Sequence, residues 1–263
     1  MKWSIFVGFL GCLFVGCGSF DDSSLCADSS LSSSSAEYQF PVEMLQIKSS
    51  NQLVSLGTNN PAAKAIERPL MQVRFDYDFL IGRHEVTCGE FNKLMAQTTG
   101  LTLQCASENL PATGVTFYDA VLFANTLSKV KNLNTAYTFT QAFFDADKHC
   151  IKLENYAFHP EVEGFRLPTE AEWIFAAEQN WNPDLNWNVN NSGFQLHDAC
   201  TIAVKENLPC DMAGNAMEWV NDWLGRLRDT TLSNYVGGVD IGSLGGRIVK
   251  GGGSSASRPH RRS

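Results

Sequence analysis

Two carboxylates close together near the end of the sequence are the residues best suited to chemistry. Asp211 and Glu218 flank the pair Gly214-Asn215, where a turn can expose backbone carbonyls. Hard oxygen ligands gathered over such a short span suit Ca²⁺. The spacing therefore predicts a calcium site. The alternative is a metal-free turn in which Asp211 caps backbone groups nearby.

The histidines and the serine-rich end of the chain offer no comparable pattern. None of the five histidines has the His-x-x-x-His or Glu-x-x-His spacing of a metal-binding face. Ser254, Ser255 and Ser257 lie near His260, but no oxyanion-hole motif accompanies them. These residues are therefore interpreted as a solvated tail.

Composition limits the classes of partner. The 263 residues are 44% apolar and 18% charged, which suffices for one sizeable core. The formal net charge is −8, so there is no broad cationic surface to neutralise a phosphate backbone. We therefore expect no nucleic-acid partner. Eight cysteines are numerous for a reduced cytosolic chain, and their state depends on the compartment.

The first sixteen residues have the organisation of an export signal. Lys2 gives a minimal positive start, and an almost unbroken apolar run follows from Trp3 to Val15. The run has the length of a signal-peptide core and is shorter than the ~20 residues that span a membrane. We therefore predict a signal peptide over residues 1–16 and a mature chain in an oxidising compartment.

The end of this run resembles the bacterial lipobox, in which cleavage precedes a cysteine that receives a diacylglycerol. Cys17 is the predicted lipidation site, and its acyl chains would anchor the protein to a membrane. Gly18 stands where an Asp would mark inner-membrane retention, which favours the periplasmic face of an outer membrane or the cell surface. The alternative is ordinary secretion with cleavage near Gly16 or Gly18.

Three further segments follow the signal. Residues 17–36 are rich in Ser and Asp and predict a flexible tether, because they cannot bury enough apolar surface to offset ordering entropy. Residues 37–70 are a lead-in segment punctuated by prolines. The globular domain is predicted to start near Pro69 and to occupy residues 71–263.

The domain combines short strands with three helices. Alternating apolar residues from Met71 predict a strand that continues to Ile81. The predicted helices follow the N-cap residues Thr87, Thr116 and Thr169. Residues 180–209 show no period, and two more strands are predicted near Ala216–Val220 and Arg247–Lys250.

Five stretches together resemble the formylglycine-generating enzyme, or sulfatase-modifying factor, domain family. Their order and spacing match across roughly residues 75–253, and RLPTEAEW and DMAGNAMEW are the most specific. The resemblance implies an α+β, irregular C-type-lectin-like fold with short helices and small twisted sheets. The stretches are FLIGRHEVT from Phe79, LPATGVTFYDA from Leu110, GFRLPTEAEW from Gly164, DMAGNAMEW from Asp211 and GRIVKGGG from Gly246.

The resemblance also implies ligands and disulfides. Calcium would take the side chains of Asp211 and Glu218 and the carbonyls of Gly214 and Ala216. The family's second calcium stretch departs from pattern here and is not assigned. Apart from the resemblance, the six cysteines after Cys17 are an even set that predicts disulfides in an oxidising compartment, with fifteen possible connectivities. The preferred pairs, each closing a modest loop within one family segment, are Cys88 with Cys105 and Cys200 with Cys210. Cys26 is either a further partner or an unpaired thiol of the tether.

The oxidase chemistry of the family is what the sequence lacks. Formylglycine-generating enzymes use Cu(I) held by two cysteines, and soft thiolates suit that ion. The aligned positions are Ala256 and Arg261, neither of which can bind copper. The Gly-Phe-Arg strand that closes the family's domain is also not reached before Ser263, so the resemblance implies a missing C-terminal strand.

Two functions remain open. The favoured hypothesis is a lipid-anchored, non-oxidase binding or structural module of the cell envelope, with an envelope protein, a peptide or a glycan as partner. Four tryptophans near the irregular segment could stack on a sugar or a peptide, namely Trp181, Trp187, Trp219 and Trp223. For these rings the alternative is that they belong to the core, as most aromatic side chains of a fold do. The alternative is an active oxidase that converts a substrate cysteine to formylglycine with O₂.

Overall fold

The structure is a computed structural model that describes residues 2–6, 8–9, 42–202, 205–237 and 246–252. Within these residues the helices are Cys88–Thr98 (α1), Phe117–Val130 (α2) and Glu170–Glu178 (α3), with single 3-10 turns at Ala65–Glu67 and Pro183–Leu185. The strands are Lys2–Phe6 (β1), Gly8–Phe9 (β2), Met44–Ile47 (β3), Leu53–Leu56 (β4), Met71–Arg74 (β5), Phe79–Glu85 (β6), Tyr137–Thr138 (β7), Gln141–Phe144 (β8), Cys150–Glu154 (β9), Ala157–Phe158 (β10), Phe165–Arg166 (β11), Met217–Trp223 (β12), Thr231–Ser233 (β13) and Arg247–Lys250 (β14).

The strands of the described residues form five small sheets. The largest has the order β11-β1-β6-β3, with β1 parallel to both neighbours and β3 antiparallel to β6. Two three-stranded sheets have the orders β14-β12-β2 and β13-β5-β4, and two pairs join β10 to β7 and β8 to β9. The predicted α+β fold, with short helices and small sheets, is confirmed.

Each helix begins at the predicted threonine. The hydroxyls of Thr87, Thr116 and Thr169 accept hydrogen bonds from backbone N–H groups in the first turn. An acidic side chain three residues later returns a bond to the backbone of each cap, which completes a capping box. Such caps are worth about 1 kcal/mol each, so the helix starts are fixed locally.

Two apolar clusters form the core. In the first, α1 packs on α2 through the stacked rings of Phe91 and Phe123, whose centroids are 5.4 Å apart. In the second, α3 contributes the buried residues Trp173, Ala176 and Ala177, and it packs against the sheets. Helices α1 and α2 therefore pack in the first cluster, and α3 packs in the second.

The domain starts earlier than the sequence suggested. Strand β3 pairs with β6 and β4 pairs with β5. Two apolar side chains of each early strand are buried in the second cluster, Leu45 and Ile47 from β3 and Val54 and Leu56 from β4. The prediction of a start near Pro69 is therefore corrected to a position before Met44. Each of these strands has only four residues, too few for alternation to stand out in a proline-punctuated segment.

The N-terminal residues lie within the sheets. Ser4 and Ile5 of β1 are fully buried, and β2 pairs with the start of β12. An apolar run suits a buried strand as well as a signal-peptide core, so the two assignments use the same residues. The signal peptide stays a prediction. None of the helices in the described ranges is long and apolar enough to cross a membrane.

Candidate functional site

The predicted calcium segment folds as a tight turn before β12. Asp211 and Asn215 both have positive φ angles, at 56° and 57°, and the Gly214 N–H donates to the Asp211 carbonyl at 3.0 Å. The turn is fixed against Trp187, whose carbonyl accepts from the Asn215 N–H at 2.8 Å. A Cβ on Gly214 would lie 2.0 Å from that carbonyl oxygen, so the close approach requires glycine.

Three buried carboxylates surround this turn. Glu218 is the second residue of β12, Asp211 begins the turn, and Glu85 comes from the end of β6. The carboxylate of Glu85 accepts from the Ala216 N–H and from the Asn215 side-chain amide, both at 2.9 Å. A strand remote in sequence therefore holds the turn in place.

The electrostatics of the cluster are unfavourable without a cation. Burial, followed by the charge of Asp211, raises the pKa of Glu218 and Glu85 well above their usual range. Burial also raises the pKa of Asp211, although the Cys200 N–H opposes this shift. One oxygen of Glu218 accepts from the Trp173 indole, while Oε1 is buried and has no hydrogen-bond partner among the described residues. An orphaned buried carboxylate oxygen is costly unless something pairs with it.

The residues present fit a calcium ion in part. The orphaned Glu218 oxygen and the excess of buried negative charge favour a cation. A Cβ on Gly251 would lie only 3.3 Å from the Ala216 carbonyl oxygen, so glycine at this position avoids crowding that oxygen. In the described ranges no three His, Cys, Asp or Glu side chains could hold a metal alone. The site therefore needs the predicted carbonyls of Gly214 and Ala216.

The metal-free alternative also has an observation in its favour. An Oδ2 atom of Asp211 accepts from the Cys200 N–H at 2.6 Å, which is local capping of the kind the sequence allowed. This bond uses one carboxylate oxygen of Asp211. The calcium prediction stays a prediction.

Both preferred disulfides are confirmed. Cys88 is bonded to Cys105 and Cys200 to Cys210, with Cα separations of 6.5 and 5.2 Å. Cys150 is a free and buried thiol, and burial raises its pKa to about 11. It is therefore protonated at neutral pH and a poor nucleophile or metal ligand. The predicted lipidation site Cys17 and the tether residue Cys26 lie outside the described residues.

A polar hollow of about 490 Å³ is lined by sequence neighbours of Cys88 and Cys200. Its walls come from the start of α1, from the segment before Leu110 and from the irregular segment near Cys200. The walls are tied across the hollow, since the Ala199 N–H donates to the Asn109 carbonyl at 2.9 Å. The hollow is lined by His84, Thr87, Gly89, Glu90, Lys93, Glu108, Asn109, Asp198, Ala199 and Thr201.

A second hollow of about 490 Å³ shares Asp198 and Thr201 with the first. Trp187 lines it and stacks on His197, with ring centroids 3.6 Å apart and planes 14° from parallel. The Trp187 indole N–H donates to the Thr201 hydroxyl at 3.1 Å. Polar donors and acceptors beside an aromatic ring suit the binding of a polar ligand.

Only one of the four predicted tryptophans lines this surface. Trp187 does, whereas Trp219 packs edge-on against Phe117 and donates its indole N–H to the Val115 carbonyl. Trp223 stacks on the guanidinium of Arg247, and Trp181 packs edge-on against Trp173. The copper-aligned positions Ala256 and Arg261 lie outside the described residues.

Two contributors to the site were not singled out in the sequence. Glu85 lies within the FLIGRHEVT stretch, but nothing in that stretch shows that it reaches the turn before β12. His197 also carries no signal, because it is a lone histidine in a segment without period. Their roles depend on contacts made by residues far apart in the chain.

Comparison with known proteins places these features in context. A family model described as a sulfatase-modifying factor enzyme 1-like domain matches residues 42–262. A chaperone protein LppX from Paenibacillus barcinonensis is 29% identical over 181 residues, which cover 56% of this chain and 62% of the relative. The match therefore spans less than two thirds of that relative.

Solved structures give the same fold. Treponema denticola variable protein 1 superposes with a TM-score of 0.62 and 26% identity, over 80% of this chain and 83% of that one. PvdO from Pseudomonas aeruginosa superposes with a TM-score of 0.56 and 16% identity, over 84% of this chain and 85% of that one. CarF superposes with a TM-score of 0.53 and 23% identity, over 82% of this chain and 90% of that one. At these lower identities PvdO and CarF support the fold alone.

Proposed function

The chain belongs to the family of sulfatase-modifying factor enzyme 1-like domains, and from this premise we propose that it is an exported, lipid-anchored binding module without oxidase activity. Fold membership alone does not transfer an activity, which depends on the residues of the site. The proposal rests on the state of the thiols.

The observation that carries the proposal concerns the cysteines: the described residues include no pair of free thiols that could hold copper. Copper chemistry of the family's kind needs two free thiolates. In the described part of the chain four cysteines form disulfides, and the remaining one, Cys150, is buried and protonated. At the aligned positions the sequence has Ala256, which offers no donor atom, and Arg261, which is permanently cationic.

The paired hollows are the proposed binding surface. Residues next to Cys88, Cys105 and Cys200 in the sequence line them, so the two disulfides constrain their walls in the way a preformed site requires. The Trp187 ring would stack on a planar or sugar-like group, while Asn109, Asp198 and Thr201 would supply hydrogen bonds. An envelope protein, a peptide or a glycan would each present such groups.

Calcium would have a structural role beside this surface. The ion would be held by Asp211, Glu218 and the carbonyls of Gly214 and Ala216. Bound there, it would neutralise buried carboxylates and fix the turn that packs on Trp187. The chain's own part is to hold this turn through Glu85 and to keep the Trp187 ring at the hollow.

Export and anchoring complete the proposal. Cleavage before Cys17 would leave a lipidated N-terminus, and the Ser-rich residues 17–36 would separate the domain from the membrane. The oxidised pairs support an exported location, because disulfides persist outside the reducing cytosol. The proposed location is the periplasmic face of an outer membrane or the cell surface.

An oxidation assay tests the proposal. The purified protein is incubated with a Cys-x-Pro-x-Arg peptide, copper and O₂, and the peptide is analysed for formylglycine by mass spectrometry. The expected result is unmodified peptide and no tight Cu(I) binding in a competition titration. A double variant, Ala256→Cys with Arg261→Cys, should gain Cu(I) binding and is the positive control. Aldehyde formation by the unaltered protein overturns the proposal.

Binding at the hollows is tested separately. The protein is screened against arrays of envelope glycans and of peptides, and each ligand is measured again with Trp187→Ala and Trp181→Ala. Loss of the stacking ring should weaken binding several-fold, in line with ~1 kcal/mol for an aromatic contact. Trp181→Ala removes an exposed ring outside both hollows and should have no effect. Ligands that respond equally to both variants would place the binding surface elsewhere.

A further inference from the structure

One wall of the second hollow is the stack of Trp187 on His197, the part of that surface proposed to contact a ligand. Both residues lie outside the described helices and strands, so no regular backbone structure fixes where their rings lie. We infer that Asn215 is the positioning residue of this wall and holds the stack from the buried turn before β12. The inference rests on the proposed function, because it assigns a role at the same binding surface.

Asn215 makes hydrogen bonds to the backbone of both stacked residues. Its Oδ1 accepts from the His197 N–H and its Nδ2 donates to the His197 carbonyl, each at 3.0 Å. Its own N–H donates to the Trp187 carbonyl at 2.8 Å. One residue therefore sets the relative position of two residues that are ten positions apart and whose ring centroids lie 3.6 Å from each other.

Asn215 is itself held from a third segment. It is fully buried, and its Nδ2 also donates to Oε2 of Glu85, at the end of β6, at 2.9 Å. The other oxygen of Glu85 accepts from the Ala216 N–H, so the strand fixes both the amide and the backbone beside it. A path of hydrogen bonds thus runs from β6 through Asn215 to the wall of the hollow.

Other contacts hold the rings within the irregular segment. The Trp187 indole N–H donates to the Thr201 hydroxyl, and Nε2 of His197 donates to the Ser192 carbonyl at 2.9 Å. All four residues belong to the same segment, so these bonds orient the rings without fixing them to a sheet. Among the hydrogen bonds of the described residues, those of Asn215 join the Trp187 and His197 backbone to another segment.

The alternative is that the Cys200–Cys210 disulfide positions the wall. This bond closes a loop that begins three residues after His197 and contains neither stacked residue. A disulfide restricts chiefly the loop that it closes. The disulfide therefore constrains the neighbouring wall, whereas the stack is held by direct hydrogen bonds from Asn215.

The position requires a carboxamide on a residue in the left-handed region. Asn215 has a φ of 57°, which Gly and Asn tolerate better than other residues. Its side chain both donates and accepts, whereas an ionised carboxylate only accepts. Asp at this position would lose the donor and place a second negative charge beside Glu85. Gly would keep the backbone conformation and lose every side-chain hydrogen bond.

Ring-current shifts in NMR spectra of the purified protein test this role. The ring protons of His197 lie over an indole and should resonate upfield of those of the other histidines, and His197→Gln assigns them. The test variants are Asn215→Gly, Asn215→Asp, and Asn215→Asp combined with Glu85→Gln. Asn234→Gly is the matched control, because Asn234 also has a positive φ, of 52°, and its Oδ1 accepts from the Asp76 N–H outside both hollows.

Loss of the Asn215 side chain should release His197 from the stack. In Asn215→Gly and Asn215→Asp most of the upfield shift should disappear, while the indole signals of Trp173 and Trp219, which pack elsewhere, should not move. Asn215→Asp with Glu85→Gln should recover part of the shift, because the exchanged pair again has one donor and one acceptor. Asn234→Gly should keep the full shift.

Several results overturn the inference. An unaltered protein without the upfield shift has no stack, and a shift that survives both Asn215 substitutions shows that other contacts hold it. Equal loss in Asn234→Gly shows a general loosening of the fold, as do Trp173 and Trp219 signals at unfolded positions in Asn215→Gly. Each of these results leaves the proposed binding surface to the array screen. Ligands that ignore Trp187→Ala contradict that surface without affecting how its rings are held.

Discussion

Arg166 and Glu172 form a fully buried ion pair with two parallel hydrogen bonds, Nη1 to Oε2 and Nη2 to Oε1, each of 2.7 Å. The Glu172 carboxylate also accepts from the Thr169 N–H and the Tyr77 hydroxyl, both at 2.9 Å. The pair joins β11 to the first turn of α3.

Breaking the pair should be strongly destabilising. Arg166→Met leaves the Glu172 carboxylate buried and uncompensated, which we expect to cost about 3–5 kcal/mol of unfolding free energy in urea titrations. Combining Arg166→Met with Glu172→Met should recover part of the loss, because the double variant buries no lone charge. Lys152→Ala, which removes the exposed Lys152–Glu154 pair, should leave the midpoint unchanged. Equal effects of Arg166→Met and Lys152→Ala would contradict this account of the pair.

The same pair should make stability depend on acid pH. Burial alone would raise the pKa of Glu172, but the charge and hydrogen bonds of Arg166 outweigh burial and hold this pKa below its usual range. A carboxyl with a lowered folded-state pKa stabilises fully above the unfolded value, about 4.3, and loses that stabilisation as pH falls through the folded value. The unfolding free energy of the unaltered protein minus that of Glu172→Gln should therefore shrink below about pH 4.3. Parallel pH profiles would contradict the shift.

Calcium should stabilise the protein through the turn at Asp211. Ligand that binds only the folded state at 100 times its Kd adds about 2.7 kcal/mol, so the melting temperature should rise when CaCl₂ replaces EDTA. Glu218→Gln and Asp211→Asn should abolish the increase, whereas Asp145→Asn, in an exposed turn, should preserve it. Identical melting in EDTA and CaCl₂ would show that the turn is metal-free.

The disulfides should contribute stability and maintain the hollows. They join residues 17 and 10 positions apart, and loops of this order are worth about 2–4 kcal/mol each. Paired serine variants, Cys88→Ser with Cys105→Ser and Cys200→Ser with Cys210→Ser, should each lose that amount in chemical unfolding. Peptide mapping without reductant should recover the two bonds intact in the unaltered protein. Bonds that involve Cys150 or Cys26 instead would refute the assignment.

Local signals explain what the sequence predicted. The capping boxes at Thr87, Thr116 and Thr169 need only residues three positions apart, so the helix starts follow from the sequence. The two disulfides followed from their placement within segments of a known family.

Contacts between residues far apart in the chain explain the features that the sequence did not predict. The Glu85 carboxylate reaches a turn 130 residues away, and no local period records such a contact. The apolar run at Trp3 is compatible with an export signal and with a central strand, and periodicity cannot separate the two. The start of the domain was missed for a related reason, because β3 and β4 gain their burial from β6 and β5.

Mass spectrometry of the N-terminus distinguishes an anchored protein from an unprocessed one. The protein is expressed as the full chain, extracted from membranes, and its intact mass and N-terminal peptide are measured. We expect a chain that begins at Cys17 and carries a diacylglycerol, with residues 1–16 absent. An unlipidated chain that begins at Met1 would contradict the anchored module.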